Sequence, residues 1–147
     1  MDRGDRSYPK RPFIGVGAVV FKGDEVLLIK RARPPRQGIW SIPGGLQEVG
    51  ETFFATAARE IFEETGLTVE VIELVDVVDS ITQDDVDRTQ YHYTLVDVRA
   101  EWRAGEAVAA DDAEAVTWAA LDALEPFELW SETDRVIRLA AAQRGRS

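Results

Sequence analysis

Glu60, Glu63 and Glu64 stand at i, i+3 and i+4 in a stretch, residues 52–65, that holds neither Gly nor Pro and lies between Gly50 and Gly66. Wound as a helix at ~100° per residue, this stretch puts the three carboxylates on one side and Phe54, Ala58, Ile61 and Phe62 on the other. Like charges at that spacing destabilise a helix by ~0.2–0.5 kcal/mol per pair, so a positive partner should offset them. Mg²⁺ fits, with Mn²⁺ as the alternative, because hard divalent cations take oxygen ligands and bridge readily to phosphate oxygens. Arg59 is permanently charged and is placed to orient a neighbouring carboxylate through paired hydrogen bonds. Glu51, at the end of the preceding loop, adds an acceptor or a loop hydrogen bond. Hydrolysis of a diphosphate is chemistry that such a cluster can support. Water attacking phosphorus needs a deprotonated nucleophile, neutralised phosphate oxygens and an in-line approach, all of which clustered divalent ions supply.

The elements that must hold this cluster can be read from the chain. Phe13 to Phe21 is rich in Val, Ile and Phe, the turn Lys22-Gly23-Asp24-Glu25 follows, and Val26 to Ile29 completes a predicted hairpin. Gly15 and Gly17 share one strand face, a sign that a ligand or another backbone comes close there. Arg31 to Gly38 forms a basic, proline-broken loop, and a short strand from Ile39 to Ile42 ends at Pro43-Gly44-Gly45. The helix stops at Gly66 in the left-handed conformation. Two strands are predicted at Thr68–Val78 and Thr89–Val98 around the polar stretch Asp79–Arg88. After the acidic loop Ala104–Glu114, a short strand from Val116 to Trp118 precedes a last helix from Ser131 to about Gln143, capped by Ser131 and Asp134. Strands mixed with helices imply an α/β domain with a mixed sheet and helices on its faces.

Composition sets the limits. The 147 residues, 45% hydrophobic and 30% charged, suit one domain, read as a flexible arm over 1–12 and a single domain over 13–147. No run approaches the ~18 apolar residues of a membrane span, and the polar opening Met1 to Arg6 lacks the apolar segment of a secretory signal, so a cytoplasmic location is expected. The absence of cysteine removes disulfides, thiolate nucleophiles and zinc-thiolate sites, leaving oxygen or the lone His92 for any metal. The net charge of −10 argues against nucleic acid as a partner. Its distribution is uneven: residues 1–36 carry nine Lys or Arg against four Asp or Glu, and residues 37–147 eight against twenty-three. A basic edge beside an acidic centre suits a site that gathers divalent cations and then an anionic substrate.

From Gly45 to Leu67 the chain resembles the Nudix hydrolase family without a gap: Gly45, five residues, Glu51, seven residues, Arg59-Glu60-Ile61, one residue, Glu63-Glu64, one residue, Gly66-Leu67. Nine fixed or class-restricted positions in 23 residues make a specific signal. Gly38-x-Trp40-x-x-Pro43-Gly44-Gly45 extends it upstream, and the hairpin, the Trp118 strand and the last helix fit the family layout over roughly residues 13–143. The resemblance implies an α/β/α sandwich with a mixed sheet and a loop-helix-loop catalytic motif. It also implies a pyrophosphohydrolase acting on a nucleoside diphosphate linked to another group.

Carried over by position, the resemblance makes Glu60, Glu63, Glu64 and the Gly45 carbonyl metal ligands, with Glu60 or a loop carboxylate assisting deprotonation of water. Arg59 and Glu51 complete the catalytic set as residues that fix the loop against the helix. A further carboxylate from a later loop joins the metal site, with Asp112 the candidate and Asp111 and Glu114 competing for the place. Arg31, Arg33 and Arg36 are candidates to hold a second phosphate or a terminal ribose. Trp40 is read as packing beneath the phosphate loop, His92 as a hydrogen-bonded strand residue, and Phe127 and Trp130 as core. ADP-ribose or a related sugar nucleotide leads the substrate reading, although the chain has no proline between Pro43 and Pro126, where an ADP-ribose signature would carry one. The alternatives are a nucleoside triphosphate, oxidised bases included, and a non-catalytic nucleotide-binding regulator. A homodimer is expected, with Phe53 meeting a partner subunit and with the arm, Phe13 and the edge of the first hairpin finding no partner within the chain.

Overall fold

The computed structural model describes residues 5–34 and 36–146. Residues 1–4 of the expected arm, and Pro35 of the basic loop, lie outside the described residues. The elements run β1 (Phe13–Lys22), β2 (Glu25–Arg31), β3 (Trp40–Ser41), β4 (Gly44–Leu46), α1 (Phe53–Thr65), β5 (Thr68–Gln83), β6 (Thr89–Ala104), β7 (Ala113–Ala120), a 3₁₀ turn (Glu125–Phe127) and α2 (Ser131–Arg146).

Alternation along β1 builds the two layers of core. Val16, Ala18 and Val20 join Leu27, Val98, Ala100 and the buried Ala57, Ile61 and Leu67 beneath α1. Val19 and Phe21 join Leu28, Val78 and the buried Val136, Ile137 and Ala140 beneath α2. The result is the expected α/β/α sandwich around a mixed sheet. Its order is β3-β2-β1-β6-β5, with β7 on the other edge of β2 and β4 on β1. One pairing is parallel: Phe13–Phe21 on β1 runs beside Tyr93–Glu101 on β6.

That pairing corrects the expectation that Phe13 and the hairpin edge lack an intrachain partner, since the Phe13 and Tyr93 rings also meet at 5.9 Å. Some 80 residues separate the two strands in sequence, and no local pattern encodes a contact over that range. The hairpin is also short-lived as a pair. Only Phe21↔Val26 and Lys22↔Glu25 stay in register before β1 and β2 diverge. β4 then pairs with Gly15–Gly17 of β1, and β3 pairs with Ile29 and Lys30 of β2. The Pro43-Gly44-Gly45 segment read as a strand end is thus the start of a further strand, wedged into the split, with the Ala18 N–H donating to the Pro43 carbonyl at 3.0 Å.

Two more boundaries move. β5 and β6 continue through residues 79–83 and 99–104, because each long strand has the other as an antiparallel partner from Thr68↔Ala104 to Gln83↔Thr89. On α1, Thr52 caps the first turn, accepting from the Ala55 N–H at 3.1 Å, and Gly66 stops the helix at φ +76°. The face it buries is only in part the apolar one read from the sequence. Thr56, Ala57, Glu60, Ile61 and Glu64 are buried, while Phe54 and Phe62 are exposed, Phe62 at 61%. Residues 5–12 run without regular structure. Tyr8 ties them to the β5–β6 tip, its N–H donating to the Gln90 carbonyl at 2.7 Å and its hydroxyl to Asp84 Oδ2 at 2.8 Å. Among the described residues no helix is long and apolar enough to cross a membrane.

Candidate active site

The split between β1 and β2 opens a cavity of about 360 Å³, a size ordinary for a small-molecule site. Its floor is the α2 face of the sheet, where Gly15 and Gly17 of β1 carry no side chain over Leu95 and Asp97 of β6. Gly17 has no room for one: a Cβ there would stand 2.5 Å from Asp97 Oδ1. The close approach signalled by these two glycines in the sequence is therefore a contact with neighbouring side chains. The walls include the basic loop, β3, β4 and the start of α2.

At the β4 edge of this cavity α1 presents Glu60 and Glu64, 5% and 3% exposed. Gly45 must be glycine, because a Cβ would lie 2.2 Å from Glu60 Cδ. The Gly44 N–H donates to Glu64 Oε1 at 2.9 Å. Burial, then the nearby charges of Glu60 and Asp112, push the Glu64 carboxyl up to about 8 despite that bond. Crowded, desolvated carboxylates of this kind gain most from a cation placed among them.

Arg59 supplies part of that charge from the outer side of α1. Its Nε donates to Glu51 Oε2 at 2.6 Å, and its Nη2 donates to Glu51 Oε1 at 2.9 Å and to the Leu46 carbonyl at 3.1 Å. Its Nη1 donates to Glu60 Oε1 at 2.8 Å and to Glu63 Oε1 at 3.2 Å. Glu51 also accepts from the Glu48 N–H and the Thr56 hydroxyl. Hydrogen bonds from Arg59, and then from the Glu48 amide, hold the Glu51 carboxyl down at about 2. Loop and helix are locked through this one guanidinium, and the lock aims Glu60.

The structure brings together Gly45, Glu60, Glu64, Asp112, Arg31, Arg33 and Arg36 around the cavity. It leaves Glu51, Arg59 and Glu63 behind the wall. Of the three competing loop carboxylates only Asp112 lines the cavity, where Arg33 pairs with it at 2.8 Å; Asp111 and Glu114 are exposed. Arg36 lies 4.0 Å over the Trp130 ring and reaches the Ser80 hydroxyl at 3.4 Å. Trp40 packs edge-on against Phe127 at 5.3 Å and also lines the cavity. Phe127 and Trp130 pack against the core as read, and Trp130 also lines the cavity. The oxygen-only donors suit Mg²⁺ or Mn²⁺, and the missing side chain at Gly45 lets the Glu60 carboxyl pack against the β4 backbone. Among the described residues, no three Asp, Glu or His side chains converge closely enough to hold one ion in this arrangement; Arg59 already engages Glu60 and Glu63.

Two site groups escaped the sequence reading. The Tyr93 hydroxyl is buried without a hydrogen-bond partner, and Asp97 is a carboxylate between Val96 and Val98 of β6; both line the cavity. The available signal was that misplaced charge in Leu95-Val96-Asp97-Val98.

Comparison with known proteins bears on this arrangement. A family description, the NUDIX domain, matches residues 11–140. An ADP-ribose pyrophosphatase of Methanocaldococcus jannaschii is 37% identical over 102 residues, covering 69% of this chain and 58% of that protein. A MutT NUDIX hydrolase from Burkholderia pseudomallei superposes with a TM-score of 0.76 at 33% identity, over 88% of this chain and 98% of its own. An ADP-ribose pyrophosphatase from Streptococcus suis gives 0.68 at 26% identity, over 93% and 94%.

Proposed function

The chain belongs to the NUDIX family, and from that premise we propose that it is a Mg²⁺-dependent pyrophosphohydrolase of nucleoside diphosphates linked to a second group, with ADP-ribose or a related sugar nucleotide ahead. The observation that carries this reading is the meeting in one cavity of the buried pair Glu60 and Glu64 with Arg31, Arg33 and Arg36. Acidic groups for a cation and basic groups for an anion line the same cavity, where Arg33 pairs with Asp112. Glu60, Glu63, Glu64 and the Gly45 carbonyl would hold the metal, with Mn²⁺ as a substitute and Asp112 as the added loop carboxylate. A divalent ion bound there supplies charge neutralisation on the phosphate oxygens and acidifies water.

The chain's own groups do the rest. Arg31 stays a cation although burial lowers its pKa, and with Arg33 and Arg36 it binds the diphosphate or the distal ribose. Glu60 or Asp112 takes the proton from the attacking water. Arg59 and Glu51 keep Glu60 aimed. The relatives named as ADP-ribose pyrophosphatases support the substrate ranking. A homodimer and a cytoplasmic location belong to the same reading. Phe53, Phe54 and Phe62, exposed on α1, would give the dimer an apolar contact. In light scattering, a fully active monomer of 16.4 kDa would remove the dimer.

The test is a panel of ADP-ribose, other sugar nucleotides, dinucleoside polyphosphates, and normal and 8-oxo nucleoside triphosphates, assayed for product release with Mg²⁺. ADP-ribose should lead. A kcat/KM for 8-oxo-dGTP about tenfold above every sugar nucleotide would reverse the ranking, and no turnover of any compound would leave a nucleotide-binding regulator.

A further inference from the structure

Asp97 is 5% exposed, lines the cavity, and accepts no hydrogen bond and joins no ion pair among the described residues. Its surroundings are the glycine face of β1, Ile42, Val78 and Leu95. Asp76, its neighbour across the β5–β6 ladder, is paired with Arg135 of α2 at 2.8 Å instead. Desolvating a carboxylate without giving it a donor costs free energy, and the slight exposure that Asp97 keeps is at the cavity it lines. A carboxylate kept in this position is explained by a donor that arrives with a ligand.

The position identifies the donor. Asp97 stands beside Gly17 on β1, and Gly17 stands beside Gly44 on β4, whose N–H holds Glu64. Two strand spacings, roughly 10 Å, therefore separate Asp97 from the carboxylate end, a separation that a nucleotide spans from its phosphate to the outer edge of its base. Between them lie the bare Gly17 and the Ile42 side chain, and Leu95 and Val78 continue the apolar surface beyond Asp97 on β6 and β5, with Trp130 also lining the cavity, a surface for an aromatic ring rather than a sugar.

Resting on the hydrolase reading above, we propose that Asp97 selects the nucleobase, its carboxylate accepting from the exocyclic amine of an amine-bearing base. Guanine presents the amine beside a ring N–H, and adenine and cytosine present the amine. Uracil and hypoxanthine carry carbonyl oxygens beside their ring N–H, and these repel the carboxylate. The proposed preference is for adenine, guanine or cytosine nucleotides over those of uracil and hypoxanthine, whichever group lies beyond the diphosphate.

Nucleoside monophosphates test this without turnover. Calorimetric titration of the whole chain in Mg²⁺ at about pH 8.5, where Asp97 is ionised, with AMP, GMP, IMP and UMP should show AMP and GMP binding about tenfold or more tightly than IMP and UMP. Asp97→Asn, which adds an amide donor able to face a carbonyl, should narrow the preference to about threefold or less, chiefly by improving IMP and UMP. Equal binding of the four by the wild-type chain, no binding of any, or an Asp97→Asn protein that keeps the full preference would overturn the assignment. Should the variant fail to fold, the wild-type AMP/IMP and GMP/IMP ratios decide alone. Binding that discriminates bases in a chain that hydrolyses nothing would remove the hydrolase reading and leave this one standing.

Discussion

The two ends of the cavity handle charge in opposite ways. At the α1 end each nitrogen of the Arg59 guanidinium is spoken for, and the carboxylates of Glu51, Glu60 and Glu63 share it. At the β6 end the Tyr93 hydroxyl has no hydrogen-bond partner, and Asp97 is pushed up to about 7 by burial and then by Asp76. The first region ties loop to helix before a ligand enters, although Glu60 and Glu63 must exchange part of their bonding to Arg59 when a cation arrives. The second carries desolvation that only a ligand relieves. Such a division separates chemistry from selection: the α1 end is built to act on any diphosphate, and the β6 end to choose which one arrives.

The comparison breaks most visibly at the α1 end. Glu63→Gln and Glu64→Gln should each lower kcat by at least ~10²-fold with the fold intact by circular dichroism. Wild-type turnover surviving excess EDTA would deny the metal altogether. Arg59→Lys should cost about tenfold or more in kcat, since an ammonium cannot reproduce the fork that reaches Glu51, Leu46 and Glu60 together. Near-normal kcat in the lysine variant would show that Arg59 acts only as a charge.

At the β6 end the readouts are affinity and stability. Between about pH 4 and pH 7 the folded chain keeps a proton on Asp97 that the unfolded chain has lost. Stability therefore falls as pH rises through that window and is flat, for this group, on either side. Asp97→Asn should remove that slope, raising the unfolding free energy at pH 8 by an amount on the order of 1–3 kcal/mol while leaving pH 4 unchanged. An equal shift at both pH values would mean that Asp97 is ionised throughout. Tyr93→Phe discards an unmatched hydroxyl, so thermal unfolding should change by less than about 1 kcal/mol, while KM rises severalfold if the hydroxyl meets the ligand. His92→Ala is the smallest expected effect. His92 alternates with Tyr91 and Tyr93 and does not line the cavity, so most activity should remain; loss of turnover in a folded protein would place the base elsewhere.

What the sequence determined by itself is whatever a run of neighbours can specify. Thr52 and Gly66 bound α1 because a capping oxygen and a left-handed glycine act within a turn of where they sit. Gly45, Glu51, Arg59 and Glu60 converge because one loop and one helix carry them, and 23 residues fix their relation. Tertiary structure decided the rest. Of the apolar face read on α1, Ile61 is buried, while Ala57 takes the place of Phe54 and Phe62 because Glu60 and Glu64 face Gly44 and Gly45. The parallel pairing of β1 with β6 set Gly17 against Asp97 across eighty residues of chain, which no local periodicity encodes. Asp112 was separated from Asp111 and Glu114 by where the loop before β7 lands against Arg33. A carboxylate between two valines is visible as a letter, but whether it faces a cavity, a partner or solvent depends on which strands come to lie beside it.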